Sequence, residues 1–178
     1  MIMETEAPVE ANKKKIPDSL GLTEHADALG LPWDLTEWIE DTRLMDWIKQ
    51  DVDTLEWDNA NLLAFLRAHP AFQPRMLLRL LVYAYATGAF SSEEIVAGCY
   101  EHPRLRSICA GPAPTREEII AFRRENLGLL KWFLVELFKR SLRAKFGEFL
   151  IPPGLKQRLV EAAATRLDMA RHIDRGGT

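Results

Sequence analysis

Three closely spaced arginines are the first candidates for a chemical role. Arg116, Arg123 and Arg124 fall within one short stretch. On a helix, positions 116 and 123 lie about two turns apart on the same face, so the two guanidinium groups could reach one groove of a DNA duplex. Thr115 stands at the N-terminus of that helix, where a helix-turn-helix reader places its base-contacting residues while nearby basic groups hold phosphates. Arg104 and Arg106, in the short turn before it, and Lys131 after it complete a candidate DNA-contacting set. Lys139, Arg140, Arg143 and Lys145 extend the positive charge and could track backbone phosphates. The alternative is an ordinary amphipathic helix whose polar face is simply solvated.

Other constellations are weaker. Cys99, His102 and Cys109 give Cys-x2-His-x6-Cys, but no nearby fourth ligand completes a tetrahedral zinc site, so two half-buried helical cysteines and a surface histidine are expected rather than a metal. With only these two cysteines a disulfide scaffold is excluded, and both are expected reduced. Glu93-Glu94 and Glu117-Glu118 resemble paired carboxylates for acid and base work, yet both open helices, where acids favour the macrodipole. His25, His69, His102 and His172 are scattered, and no phosphate loop, zinc-protease helix or Gly-x-Ser-x-Gly elbow occurs. No catalytic group, metal or cofactor is expected.

The fold expected to carry these side chains is all-α, a compact multi-helix domain. Apolar residues recur at three- and four-residue spacing, and no useful period-2 alternation appears. Asp34 is placed to cap a short helix from Leu35 to Ile48, and a second follows over about Asn59 to Ala68. Pro74 opens a leucine-rich helix that runs to about Thr87, apolar on most faces and therefore central, with Gly88 as its stop. Ser91-Ser92-Glu93-Glu94 supplies a serine cap with a glutamate three residues on, and Thr115-Arg116-Glu117-Glu118 a second capping box after Gly111-Pro112-Ala113-Pro114. From there one long helix is expected to about Lys145. Pro152-Pro153-Gly154 then separates a last helix, about Leu155 to His172, from a frayed tail at Gly176-Gly177. The expected organisation is a flexible tail over 1–30, a helical domain over 31–148, and a linker, helix and tail over 149–178.

The length of 178 residues and a hydrophobic fraction of 47% suit one globular domain plus tails. The longest uncharged apolar run, Leu80 to Phe90, is too short for a bilayer, and Met1 to Lys15 lacks the apolar stretch of a secretory signal, so a cytoplasmic protein is expected. The net charge of -3 hides a division: residues 1 to 70 hold 15 acidic and 6 basic side chains, a balance of -9, and the remainder carries +6. Either the halves face different partners or the acidic segment folds against the basic one. Trp38, Trp47 and Trp57, in the acidic segment, read as core or interface anchors rather than base-stacking platforms.

From Phe72 to Arg124 the sequence resembles the InsH-type N-terminal domain of bacterial insertion-sequence transposases that carry an RNase H-like, DDE catalytic domain. The stretches that carry the likeness are Pro74-Arg75-Met76-Leu77-Leu78, Tyr83-Ala84-Tyr85-Ala86-Thr87-Gly88, Ser91-Ser92-Glu93-Glu94-Ile95, Cys109-Ala110-Gly111 and Pro114 to Arg123, ending in Phe122-Arg123. In the last stretch Thr115, Arg116 and Glu118 stand where the family has Asp, His and Thr. The strand with the family's first catalytic aspartate is not visible downstream. Glu148, Glu161, Asp168 and Asp174 are expected on a loop, a helix and a tail, not converging on metal ions.

The resemblance implies a DNA-binding module, a truncated or split transposase without strand-transfer chemistry of its own. Its implied partners are double-stranded DNA such as insertion-element ends, and a homo-oligomer or an intact transposase. The alternative is a helical interaction or dimerisation module that pairs with or regulates such a transposase.

Overall fold

The leucine-rich helix after Pro74 is where the core is built. A computed structural model describes residues 30–55, 73–148 and 153–176. Among them the order is a 3-10 turn at Leu35–Glu37, then α1 (Asp41–Asp53), α2 (Pro74–Ala86), α3 (Ser92–Glu101), α4 (Pro103–Cys109), α5 (Arg116–Glu125), α6 (Leu127–Phe146) and α7 (Pro153–Asp174). The protein is all-α, with no strand among the described residues. None of the described helices is long and apolar enough to cross a membrane. The helix expected over Asn59 to Ala68, Trp57 and the tail over 1–29 lie outside the described residues.

On α2, Leu77, Leu78 and every residue from Leu80 to Ala86 are buried, so this helix has apolar neighbours nearly all round. It packs against α1, α4, α5 and α6. Leu44, Ile48 and Val52, four residues apart, turn one stripe of α1 onto it. The helix α7 folds back along α6 and joins the same core through Leu159, Ala163, Leu167 and Ala170, whose small alanines let the two helices come close.

The helix ends follow local chemistry closely. Thr115 Oγ1 accepts from Glu118 N at 3.3 Å while Glu118 Oε2 accepts from Thr115 N at 2.7 Å, a complete capping box. Ser91 caps α3 by accepting from Glu94 N at 3.4 Å. At the end of α2 the Ala89 amide donates back to the Ala84 carbonyl at 2.9 Å, with Gly88 at φ +84 carrying the left-handed turn.

Three expectations are corrected. Asp34 caps only the 3-10 turn, accepting from Thr36 N at 2.9 Å, and α1 begins separately at Asp41 and runs on to Asp53. The long helix from 116 to 145 is two helices, broken at Asn126, whose φ of -119 lies outside the helical range. The Asn126 side chain donates to Phe122 O at 3.0 Å and ends α5, as expected of a residue that competes with the backbone for hydrogen bonds. The turn through Arg104 to Ile108 is a helix, opened by Pro103 at its first position.

At Gly88 both a positive φ and a close approach are required, since an added Cβ would lie 3.4 Å from the Trp33 carbonyl oxygen. Gly88→Ala is therefore expected to cost about 1–2 kcal/mol in urea denaturation, from left-handed strain. An unchanged midpoint would show that the turn relaxes without consequence.

Candidate functional site

Two of the three arginines expected on an exposed DNA-facing helix point into the protein. Arg123 is only 2% exposed. Its Nη1 donates to Tyr85 Oη at 2.9 Å and to Ser92 Oγ at 3.3 Å, and its Nη2 forms an ion pair with Asp174. Asp174 also accepts from Ser92 N at 3.0 Å and from Ser92 Oγ at 2.5 Å. Arg116 does share a face with Arg123, as the spacing requires, but that face looks inward: its Nη2 donates to the Asp174 carbonyl at 2.8 Å. The expectation of an exposed Arg123 is thus overturned by burial, and Asp174 is the last residue of α7 rather than part of a tail.

Each group in this cluster comes from a different element. Tyr85 lies on α2, Ser92 is the first residue of α3, Arg116 and Arg123 lie on α5, and Asp174 ends α7. The carboxylate therefore meets both a guanidinium and the positive end of α3. Burial raises the pKa of the Asp174 carboxyl, but the Ser92 hydroxyl, Arg123 and the Ser92 amide outweigh it and hold the group below its ordinary value. Burial pushes the Tyr85 hydroxyl up to about 12, against the opposing pull of Arg123, so it stays neutral.

A second cluster sits on the other side of α2. Asp41, at the start of α1, accepts from Arg104 Nε at 2.9 Å, from Arg104 Nη2 at 2.7 Å and from Tyr83 Oη at 2.8 Å. It lines a shallow open groove with His102, Pro103 and Arg104. Burial, then the hydrogen bond to Asp41, raises the Tyr83 pKa above the ordinary phenol range. Two more acids of α1 pair with arginines of the basic half: Asp51 with Arg140 at 3.2 Å, and Asp53 with Arg79. Within the described residues, α1 of the acidic segment is thus docked on the basic half through Asp41, Asp51 and Asp53.

Other expected contacts divide by exposure. Arg106, Thr115 and Arg124 are exposed, Arg124 by 73% with only Glu125 beside it at 3.3 Å, and Lys131 is half-buried. The short helix α4 and the helix α5, expected to form a helix-turn-helix pair, each pack on α3 and α2. Cys99 and Cys109 are buried and unbridged, and His102 is exposed. Among the described residues no group of three or more His, Cys, Asp or Glu is placed to hold a metal ion.

Among the described residues, basic side chains gather at the end of α6 and the start of α7. Lys139, Arg140, Arg143 and Lys145 end α6, and Lys156 and Arg158 open α7, against the single acid Glu148 among the described residues from 139 to 158. Arg143, Lys145, Lys156 and Arg158 are exposed. Lys145 and Phe146 flank the ring of Trp38, and Arg43 and Arg140 lie at 5.0 and 5.3 Å from that of Trp47. Both tryptophans are partly buried against the core. Lys156 and Arg158 are not among the expected contacts, because the Pro-Gly break separates them in sequence from the basic run of α6, the helix on which α7 packs.

Residues 34–125, just over half of the chain, match a protein family described as Transposase domain (DUF772). No curated protein and no solved structure matches the chain. The stretches that carry the resemblance lie wholly within the match, and three of their polar residues, Tyr85, Ser92 and Arg123, meet at one internal cluster.

Charge reversal should separate the inward arginine from the outward one. Arg123→Glu is expected to cost about 3–5 kcal/mol by leaving Asp174 buried against a like charge, whereas Arg124→Glu should stay within about 0.5 kcal/mol. Because the folded Asp174 pKa is depressed, its contribution is complete above the unfolded carboxyl value of about 3.9 and is lost as pH falls through the lower folded value. In urea titrations at pH 7 and pH 3, Asp174→Asn should narrow the difference between the two pH values. An Arg123→Glu protein as stable as wild type would remove the buried cluster from the account.

Proposed function

We propose that this chain, which belongs to the family of transposase domains matched by its residues 34–125, binds double-stranded DNA without performing strand transfer itself. The observation that carries the reading is the group of exposed cations Arg143, Lys145, Lys156 and Arg158 at the end of α6 and the start of α7, where Lys139 and Arg140 are already paired with Glu136 and Asp51. Duplex DNA presents a negative charge every ~1.7 Å along its axis, so a compact group of four exposed cations can neutralise several neighbouring phosphates at once.

The outer face of α5 is a poorer site. Arg124 is joined there by exposed Glu117 and Glu125, and Arg116 and Arg123 are turned inward. Arg106, Arg124 and Lys131 remain as secondary phosphate contacts. The proposed absence of strand transfer rests on where acids sit: Glu148 is 3.7 Å from Arg143, Asp168 is 3.1 Å from Arg171, and Asp174 is buried with Arg123. Two-metal phosphoryl transfer needs carboxylates that converge on a shared site. The insertion-element ends of a cytoplasmic genome are the DNA this reading favours.

A second reading, an interaction module that pairs with another copy or with an intact transposase, is favoured by Trp132, which is 51% exposed on α6.

Fluorescence anisotropy against salt distinguishes the two. If Arg143, Lys145, Lys156 and Arg158 each neutralise a phosphate, log affinity should fall with log salt at a slope near -3.6, taking roughly -0.9 per phosphate. Replacing Lys145 and Lys156 by Ala should flatten it to about -1.8 with stability unchanged. Absence of binding at low salt, together with self-association in sedimentation that is lost on Trp132→Ser, would replace this reading by the second.

A further inference from the structure

The two cysteines lie side by side although ten residues apart. Cys99 is near the end of α3 and Cys109 ends α4, and their Sγ atoms are 3.1 Å apart. The close approach of the helices has a sequence cause. A Cβ added to Gly98 would fall 2.5 Å from Leu105 Cδ1, so glycine leaves the room that the Leu105 methyl of α4 occupies against α3. A disulfide bond is about 2.05 Å long, so closing the pair takes a movement of about 1 Å. The pair is shielded but not sealed: Cys99 is 4% and Cys109 8% exposed, and Cys109 is followed by exposed Ala110, Gly111 and Pro112.

We infer that Cys99 and Cys109 form a dithiol site, at which a hydroperoxide oxidant makes an intramolecular disulfide joining α3 to α4. Cys109 is the more exposed of the two and adjoins the exposed Ala110, Gly111 and Pro112, so the oxidant reaches it first, and its hydrogen bond with Cys99 lowers its pKa. The Cys109 thiolate attacks one peroxide oxygen, the O–O bond breaks, and the departing hydroxide takes up a proton to leave as water. Cys109 becomes a sulfenic acid. The Cys99 sulfur then attacks the Cys109 sulfur, forming the S–S bond and breaking the S–O bond, and the hydroxyl leaves with the Cys99 proton as a second water. Two thiols are oxidised by two electrons and one peroxide is reduced. The Cys99 and Cys109 sulfurs, already in contact, leave little time for a second oxidation of the sulfenic acid.

The test uses the full chain treated with hydrogen peroxide at neutral pH. The expected product is a monomer lighter by about 2 Da, with both thiols lost to titration and restored by dithiothreitol. Cys99→Ser should instead stop at a Cys109 sulfenic acid that a dimedone-type probe captures. Equilibration with mixtures of glutathione and its disulfide, in buffer and in urea, adds a measurement that needs no variant. The folded chain should favour the internal disulfide at least about tenfold over the unfolded one, because folding preorganises the pair. Equal ratios in both conditions, oxidation to sulfinic acid, or disulfide-linked dimers as the main product would each overturn the inference.

Discussion

Tyr85 is bonded at both ends, and most of the structure depends on it. Its hydroxyl accepts from Arg123, and its backbone carbonyl accepts from Arg166, a guanidinium that is 3% exposed. That carbonyl is one of the last four of α2, which have no partner within the helix. Arg166 also donates to Trp33 O at 2.8 Å and Pro32 O at 2.6 Å, and it lies over the rings of Trp33 and Phe138. Among the described residues no carboxylate forms an ion pair with it. Burial pushes its pKa down to about 9, against the smaller opposing pull of the Asp34 charge, and the carbonyls of Tyr85, Trp33 and Pro32 accept its hydrogen bonds. One residue of the central helix thus fixes the 3-10 entry segment, α5 and α7 in relation to one another.

This arrangement bears on how the family segment is completed. Tyr85, Ser92 and Arg123 lie within residues 34–125, whereas their partners Arg166 and Asp174 belong to α7, beyond the match. A buried guanidinium or carbonyl without its partner is costly, so the matched helices could not keep this interior unless another element supplied those groups. Here α7 supplies both, one from its middle and one from its last residue. The same helix carries Lys156 and Arg158 at its other end, so the element that closes the core also displays half of the exposed charge at the hairpin end.

Much of the fold was legible because it rests on local signals. Pro74, Gly88 and the Thr115–Glu118 box mark helix ends through short-range chemistry, and the apolar content of α2 identifies the central helix without knowledge of its neighbours. The break at Asn126 was hidden because the apolar stripe continues through it in the sequence. The site was less legible for a different reason. Arg116 and Arg123 were correctly assigned to one face, but spacing cannot say whether a face looks outward. That depends on Asp174, which is 51 positions from Arg123 and has no local feature to mark it. Ser92 carried some signal, since Ser91 alone suffices for the cap and the second serine had no evident task.

The fate of the arginines follows from which partners the fold brings within reach. Arg79, Arg104 and Arg140 meet Asp53, Asp41 and Asp51 of α1, so three of the four acids of that helix are paired inside the fold. Arg123 and Arg166 are consumed by the core. At the hairpin end Lys139 and Arg140 are paired with Glu136 and Asp51, whereas Lys145, Lys156 and Arg158 are exposed and Arg143 has only a long, exposed contact with Glu148 among the described residues. An exposed pair of that kind is worth little in water and competes poorly with a row of phosphates. Positive charge is therefore cancelled where α1 docks and persists where α6 gives way to α7. For a protein whose net charge is -3, attraction to a polyanion has to be local, and the hairpin end is where the local balance favours it.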